Sequence, residues 1–372
     1  MVGRSESWLS QVERGIRSVD RLSVLIDIAR ILKTDVETLA GHKMAYAPNG
    51  QPDPASLDEI RDALSSYPGL GLSELRTSPL PEIEKLTTEV HRRYQAADYG
   101  AAANILPRLI TSTDAVVEES SPAELPTALG VQAQAYVAAA KLVTKVGDGQ
   151  LAWIAADRAA TAAIRAESPI LKAMAAYQVA CAFLKMDRID QAEHIAVTAA
   201  ENILDDSPEG ISVQGALFLI GSVIAGRRSD RAEATERLRR AEYLADGLGA
   251  DANYGWTAFG PTNVAIHQVS AAAELGDAQE AIGKAELLDT DGLPEGLKSR
   301  RAQVHIDTAW AYSQHREDAA VVINLLEAER VAPQTLRYNV IVREMLRELL
   351  KRERRSATPG LRQLAKRAGV LH

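Results

Sequence analysis

The chain has 372 residues, 46% hydrophobic and 25% charged, which describes a globular protein long enough for two or more domains; its net charge of -8 excludes nucleic-acid binding by bulk electrostatics, leaving only local contacts. Its one cysteine, Cys181, excludes an intrachain disulfide framework and a cysteine-rich zinc site, and suits a reducing cytoplasm. The opening residues carry acids and arginines instead of an apolar signal core, and no apolar run approaches the ~20 residues needed to cross a bilayer, which argues against secretion and membrane spanning.

In chain order, residues 1–41 predict short helices over 5–14, 19–32 and 36–40. The middle one has Val19, Leu22, Leu25, Ile26, Ala29 and Leu32 at helical spacing, and Asp20 and Asp35 stand where helix starts favour an acid or a cap. Residues 42–82 are rich in Pro, Gly and Ser and read as a linker with room for one short helix near 57–64. From Ile83 to the end, 83–372, Ala-rich and Leu-rich amphipathic stretches predict helices only, arranged in pairs. The turns inside the pairs share a small-residue pattern: Asp98-Tyr99-Gly100, Gly147-Asp148-Gly149, Met186-Asp187-Arg188, Ser229-Asp230-Arg231, Leu275-Gly276-Asp277 and Arg316-Glu317-Asp318. The later turns recur roughly every 40 residues, longer than the ~34 of a strict tetratricopeptide repeat but within the range of helical repeats. One pair cannot bury both faces, so each covers the next and a solenoid follows, with alanines as packing spacers. The C-terminus is basic, ten Lys or Arg against three acids over 333–372, and predicts an amphipathic helix over 334–355 and a short one over 361–370. They read as a polar cap for the solenoid, or as a supplementary contact to a DNA backbone or partner.

The segment Gly3-Arg4-Ser5 followed by Trp8-Leu9-Ser10-Gln11-Val12-Glu13-Arg14-Gly15 resembles the turn and recognition helix of the XRE (Cro-like) helix-turn-helix family of bacterial regulators. Leu22, Leu25, Ile28, Ala29, Leu32 and Leu39 match the apolar positions of the last two helices of that domain. The resemblance implies that Trp8, Leu9 and Val12 pack on the domain body. Arg4, Ser5, Glu6, Ser7, Ser10, Gln11 and Arg14 then face the major groove, with Gln and Arg on base edges and serine hydroxyls on phosphates. Arg17 and Arg21 are expected at the backbone. The family's first two helices have no counterpart ahead of Gly3, and residues 1–41 hold six cations and six acids. Two readings follow: a start codon lying upstream, or a short product whose DNA reader is damaged.

Residues 83–372 resemble the tetratricopeptide sensor domains joined to such readers, most clearly at Phe259-Gly260-Pro261-Thr262-Asn263-Val264-Ala265-Ile266-His267 leading into Leu275-Gly276-Asp277. The resemblance implies that the first helix of each pair lines a concave face where side-chain amides hold an effector. Asn263 and His267, four apart, with Gln268 adjacent and Tyr254, Trp256 and Phe259 as aromatic walls, are the candidate effector site, together with Arg301 and His305. Gln178 and Gln214 are similarly placed. Core packing and helix capping are the competing roles for each.

No catalytic signature supports an enzyme. His-Glu-x-x-His and Gly-x-Ser-x-Gly are absent, Cys181 lies in an apolar run, and Gly276 to Lys284 fails the phosphate-loop spacing. The expectation is an all-α protein: a partial helix-turn-helix (1–41), a linker (42–82) and a tetratricopeptide-like α-solenoid (83–372). Its expected role is that of a cytoplasmic, homodimeric transcription regulator, with no cofactor, metal or membrane. Its partners would be double-stranded operator DNA and a peptide, small-molecule or protein effector. The rival is a tetratricopeptide-like protein-interaction scaffold whose truncated DNA reader does not function.

Overall fold

The recurring small-residue turns correspond to one backbone device. Ala97, Asp187, Ser229 and Arg316 have φ of 59–60° and Gly276 has φ of 83°, all left-handed. In each case the next N–H donates back to a carbonyl five residues earlier: Asp98 to Arg93 at 2.9 Å, Arg188 to Phe183 at 2.8 Å, Asp230 to Ala225 at 2.9 Å, Asp277 to Ala272 at 2.9 Å and Glu317 to Tyr312 at 3.2 Å. This is the left-handed C-cap that satisfies the last carbonyls of one helix and reverses the chain into the next. Four of the five positions carry a side chain there, each at a cost of about 1 kcal/mol, so the surrounding packing has to hold them.

The computed structural model describes residues 6–14, 24, 28, 31, 32, 56–66, 78–146, 148–353 and 356–371. Among them the fold is all-helical with no strand, and the helices pack in adjacent pairs. Helix α1 is Glu6–Glu13 and α2 is Ser56–Leu64. The pairs follow: Leu80–Gln95 (α3) with Tyr99–Glu119 (α4), Leu125–Val146 (α5) with Gly149–Arg165 (α6), and Pro169–Lys185 (α7) with Ile189–Glu201 (α8). Next come Pro208–Arg227 (α9) with Arg231–Leu248 (α10), Pro261–Glu274 (α11) with Ala278–Glu286 (α12), and Lys298–Gln314 (α13) with Asp318–Val331 (α14). Pro333–Tyr338 (α15), Val340–Lys351 (α16) and Leu361–Arg367 (α17) end the chain.

The first helix of each pair touches the first helix of the next, from α3 to α13, and α13 returns to α3. Six inner helices therefore form a closed ring, with their partners packed in the outer grooves. Alanines make the close approach possible: Ala133, Ala135, Ala138, Ala139 and Ala140 of α5 and Ala152, Ala155, Ala156 and Ala159 of α6 are all solvent-free. A second contact seals the ring. Tyr99 Oη and Thr335 Oγ1 lie 2.8 Å apart, both buried, and the Gly100 N–H donates to Gln334 Oε1 at 3.0 Å. Helix α9 is the one described helix long and apolar enough to cross a membrane, and it is mostly buried inside the ring wall.

Three sequence expectations take a different form here. Within the stretch read as a linker, α2 packs on α4 and α6 because Leu57, Ile60 and Leu64 recur on one face and are buried with Ala63. The helix expected over 334–355 is two helices. Asn339 is extended and its side chain accepts the Val342 N–H at 3.2 Å, so it ends α15 and caps α16. In the N-terminal region Val24 and Ile28 are helical and buried, whereas Ile31 and Leu32 are exposed.

Candidate functional site

The centre of the ring holds a chamber of about 160 Å³. The inner helices that face it contribute Tyr94 and Gln95 from α3 and, at helical spacing, Val137, Lys141, Thr144 and Lys145 from α5; Met174, Tyr177, Gln178 and Cys181 from α7; Val213 and Ala216 from α9; Arg300 and Gln303 from α13. Inner helix α11 does not reach it. Its place is taken by the segment ahead of α11, which lays Gly255, Trp256, Thr257 and Ala258 across the opening.

That segment is fixed from several directions. Gln95 and Asn253 exchange two amide hydrogen bonds, both 2.8 Å, and the Trp256 carbonyl accepts from Lys141 Nζ at 2.9 Å. The Trp256 ring stacks on the buried His91 ring, with centroids 4.9 Å apart and an interplanar angle of 4°. Phe259 is fully buried against Gly215 of α9, where a Cβ would overlap its ring. These contacts hold Trp256 and Ala258 at φ of 57° and 56°, left-handed conformations that neither residue favours alone.

The chamber wall is cationic. Lys141, Lys145 and Arg300 line it, and no Asp or Glu does. Lys141 shows part of its surface to the chamber while protein surrounds it; this burial, aided by the Arg300 guanidinium, lowers its amine from 10.5 to about 7. Burial likewise raises the Cys181 thiol to about 11 and the Tyr94 hydroxyl to about 12, so both are protonated at neutral pH. His91 is driven well below its ordinary value, mainly by burial and then by Lys141, and is therefore neutral. Behind the wall, Asp307 accepts from Ser270 Oγ at 2.5 Å and Gln303 Nε2 at 2.7 Å. Its carboxyl is raised to about 6 by burial, and Lys145 is the cation acting on it. The Thr144 hydroxyl is buried without a hydrogen-bond partner among the described residues.

Of the residues expected to bind an effector, Trp256 lines the chamber, as does Gln178. The others do not. Phe259 is a core residue; Asn263 is buried, its backbone carbonyl 2.8 Å from His267 Nδ1, and burial lowers His267 to about 3. Arg301 donates to the carbonyls of Leu293, Pro294 and Glu295 at 2.6–3.2 Å and ties down the loop before α13. His305 is half-buried on α13, away from the chamber wall, and Gln214 donates to the Ala200 carbonyl. The residues that sequence reasoning missed are Lys141, Lys145, Tyr177 and Arg300. One signal was present for the first, a lone cation following the buried run Ala138-Ala139-Ala140 and preceding Leu142-Val143.

Among the DNA-contact candidates, Ser10 and Gln11 are half-buried and Arg14 is exposed on or just after α1, its Nε donating to the Ser10 carbonyl at 3.0 Å. Glu6 and Ser7 lie in the same helix, and Leu9, expected to pack inward, is 41% exposed. Arg4, Ser5, Arg17 and Arg21 lie outside the described residues. At the basic C-terminus, Arg352 is paired with Asp318 at 2.8 Å, Arg367 with Glu329 at 2.6 Å and Arg362 with Glu353 at 2.8 Å. Those cations fasten α16 and α17 to α14 and to each other. Among the described residues no group of His, Cys, Asp or Glu is placed to hold a metal ion. No family model, curated protein or solved structure matches the chain.

Proposed function

We propose that the protein is a cytoplasmic bacterial transcription regulator of the helix-turn-helix type, homodimeric, whose tetratricopeptide-like ring senses an effector in its central chamber. The chamber carries the reading: it is walled by α3, α5, α7, α9 and α13 at once, so an occupant contacts almost every repeat. A ligand that binds one ring curvature better than another shifts the population toward it. In a homodimer that shift resets the spacing of two DNA readers, which have to match half-sites about one helical turn apart. The reader itself is supported by the recognition-helix pattern around Trp8-Leu9-Ser10-Gln11 and by the helix found there.

The test is binding to the promoter of the protein's own gene, measured for this chain and for the product read from the next in-frame start upstream. Salt-sensitive, sequence-selective binding by at least one of them is expected. If both bind without selectivity or not at all, the regulator reading fails.

A further inference from the structure

We infer that the chamber takes a small anionic ligand, one aromatic ring carrying a carboxylate or phosphate, with the acid group on Lys141 and Arg300 and the ring among Val137, Met174 and Trp256. This deepens the sensor reading above and rests on it. Three observations converge on the ligand class.

The first is charge. Three cations, two from α5 and one from α13, line the chamber, and no carboxylate does. Among the described residues neither Lys141 nor Arg300 has a carboxylate partner; Lys141 donates to the neutral Trp256 carbonyl, and Arg300 meets the Tyr177 hydroxyl. Lys145 has Asp307 as its counter-charge, which leaves the other two as the uncompensated pair. A buried amine without a charged partner gives up its proton more readily, and an anion entering the chamber favours the charged form. The second is size. A cavity of about 150 Å³ accommodates benzene, and this one measures about 160 Å³. One ring and an acid group fit, whereas several residues of extended peptide do not. The third is the division of the surface. Val137, Met174 and Trp256 supply apolar lining, while Gln178 and the two cations supply polar groups. Binding pockets for small molecules combine these features, an apolar lining with a few convergent polar groups.

The experiment is calorimetric titration of the full chain at neutral pH with phenyl phosphate, phenylacetate, 2-phenylethanol and inorganic phosphate. At least one of the two ring acids should bind one per chain, at least about tenfold tighter than the neutral alcohol and than inorganic phosphate. The stronger of the two identifies the acid group. Arg300→Met and Lys141→Met should each weaken the ring acid by about tenfold or more, the loss of one charge-assisted hydrogen bond. Arg240→Met, on the outer helix α10, should leave it unchanged. Melting curves identify any variant that does not fold, and Met174→Trp, which fills the apolar side, then serves as the blocking variant. Equal affinity for alcohol and acid, binding that survives in every folded chamber variant, or no binding of any probe would overturn the assignment. The titration contains no DNA, so its failure and a failure of promoter binding are separate results.

Discussion

Replacing Lys141 by Met should stabilise the folded protein at neutral pH and flatten its response to pH. The Lys141 ammonium has the Trp256 carbonyl at 2.9 Å as its acceptor, and the charge nearest in effect is the like-charged Arg300. Burial is the main cause of the drop from 10.5 to about 7, Arg300 adds to it, and the Cys181 thiol acts weakly in the opposite sense. In the unfolded chain the amine is an ordinary lysine, so between about pH 7 and pH 10.5 the unfolded state holds a proton that the folded state has released. Stability therefore rises with pH through that window, and below it the cost of enclosing the ammonium is present in full. At about 1.4 kcal/mol per pH unit the gap sets a ceiling near ~5 kcal/mol. The chamber is wide enough for water and the Trp256 carbonyl solvates the ammonium in part, so about 2–3 kcal/mol is the expected penalty at neutral pH. Met keeps most of the apolar stem and omits the charge. Urea denaturation followed by circular dichroism, from about pH 6 to about pH 10, should show the variant more stable at the low end and the two proteins converging at the high end. The difference between the curves reports chiefly Lys141, with its smaller effects on His91 and Cys181, whereas Tyr94 and Tyr177 are common to both. A variant less stable than the parent at neutral pH, or a difference independent of pH, would refute an enclosed and largely uncompensated amine.

Gly215→Ala gains about 1 kcal/mol of helix propensity but forces a methyl group into the Phe259 ring, an overpacking cost of about 1–3 kcal/mol, so net destabilisation is expected. A higher melting temperature would mean that Phe259 is not seated there. Tyr99→Phe leaves the buried Thr335 hydroxyl without its partner and should cost about 1–2 kcal/mol, with faster amide exchange in α15 as the ring seal loosens. Unaltered exchange there would show that the seal does not depend on this bond. Asp307 titrates near 6 in the fold against 3.8 when unfolded, so the folded state holds its proton more tightly and stability falls as pH rises from about 4 to about 6. Asp307→Asn should gain on the parent by about 1–2 kcal/mol across that range, and parallel melting profiles would contradict it.

What could be read from the sequence is what short-range chemistry decides. The repeated turns were legible because a residue able to stand in the left-handed region and a following acid or arginine recur at Asp187-Arg188, Ser229-Asp230, Gly276-Asp277 and Arg316-Glu317, and each closes the same capping bond. The helical class was legible for the same reason, and Trp256 was found because aromatic residues cluster ahead of α11. The chamber was not legible, because it depends on α13 coming back to α3 and on Tyr99 meeting Thr335, partners 236 positions apart that no local period reveals. Reasoning confined to one helix pair put Asn263 and His267 on a binding face. In the closed ring Asn263 and His267 are buried, and the segment before α11, which packs on α9, lines the chamber instead. The side chains that matter at the centre are those whose polarity conflicts with their own helix, as Lys141 does in its alanine run. The conflict is eased by the Trp256 carbonyl and by the amine giving up its proton more readily than an ordinary lysine.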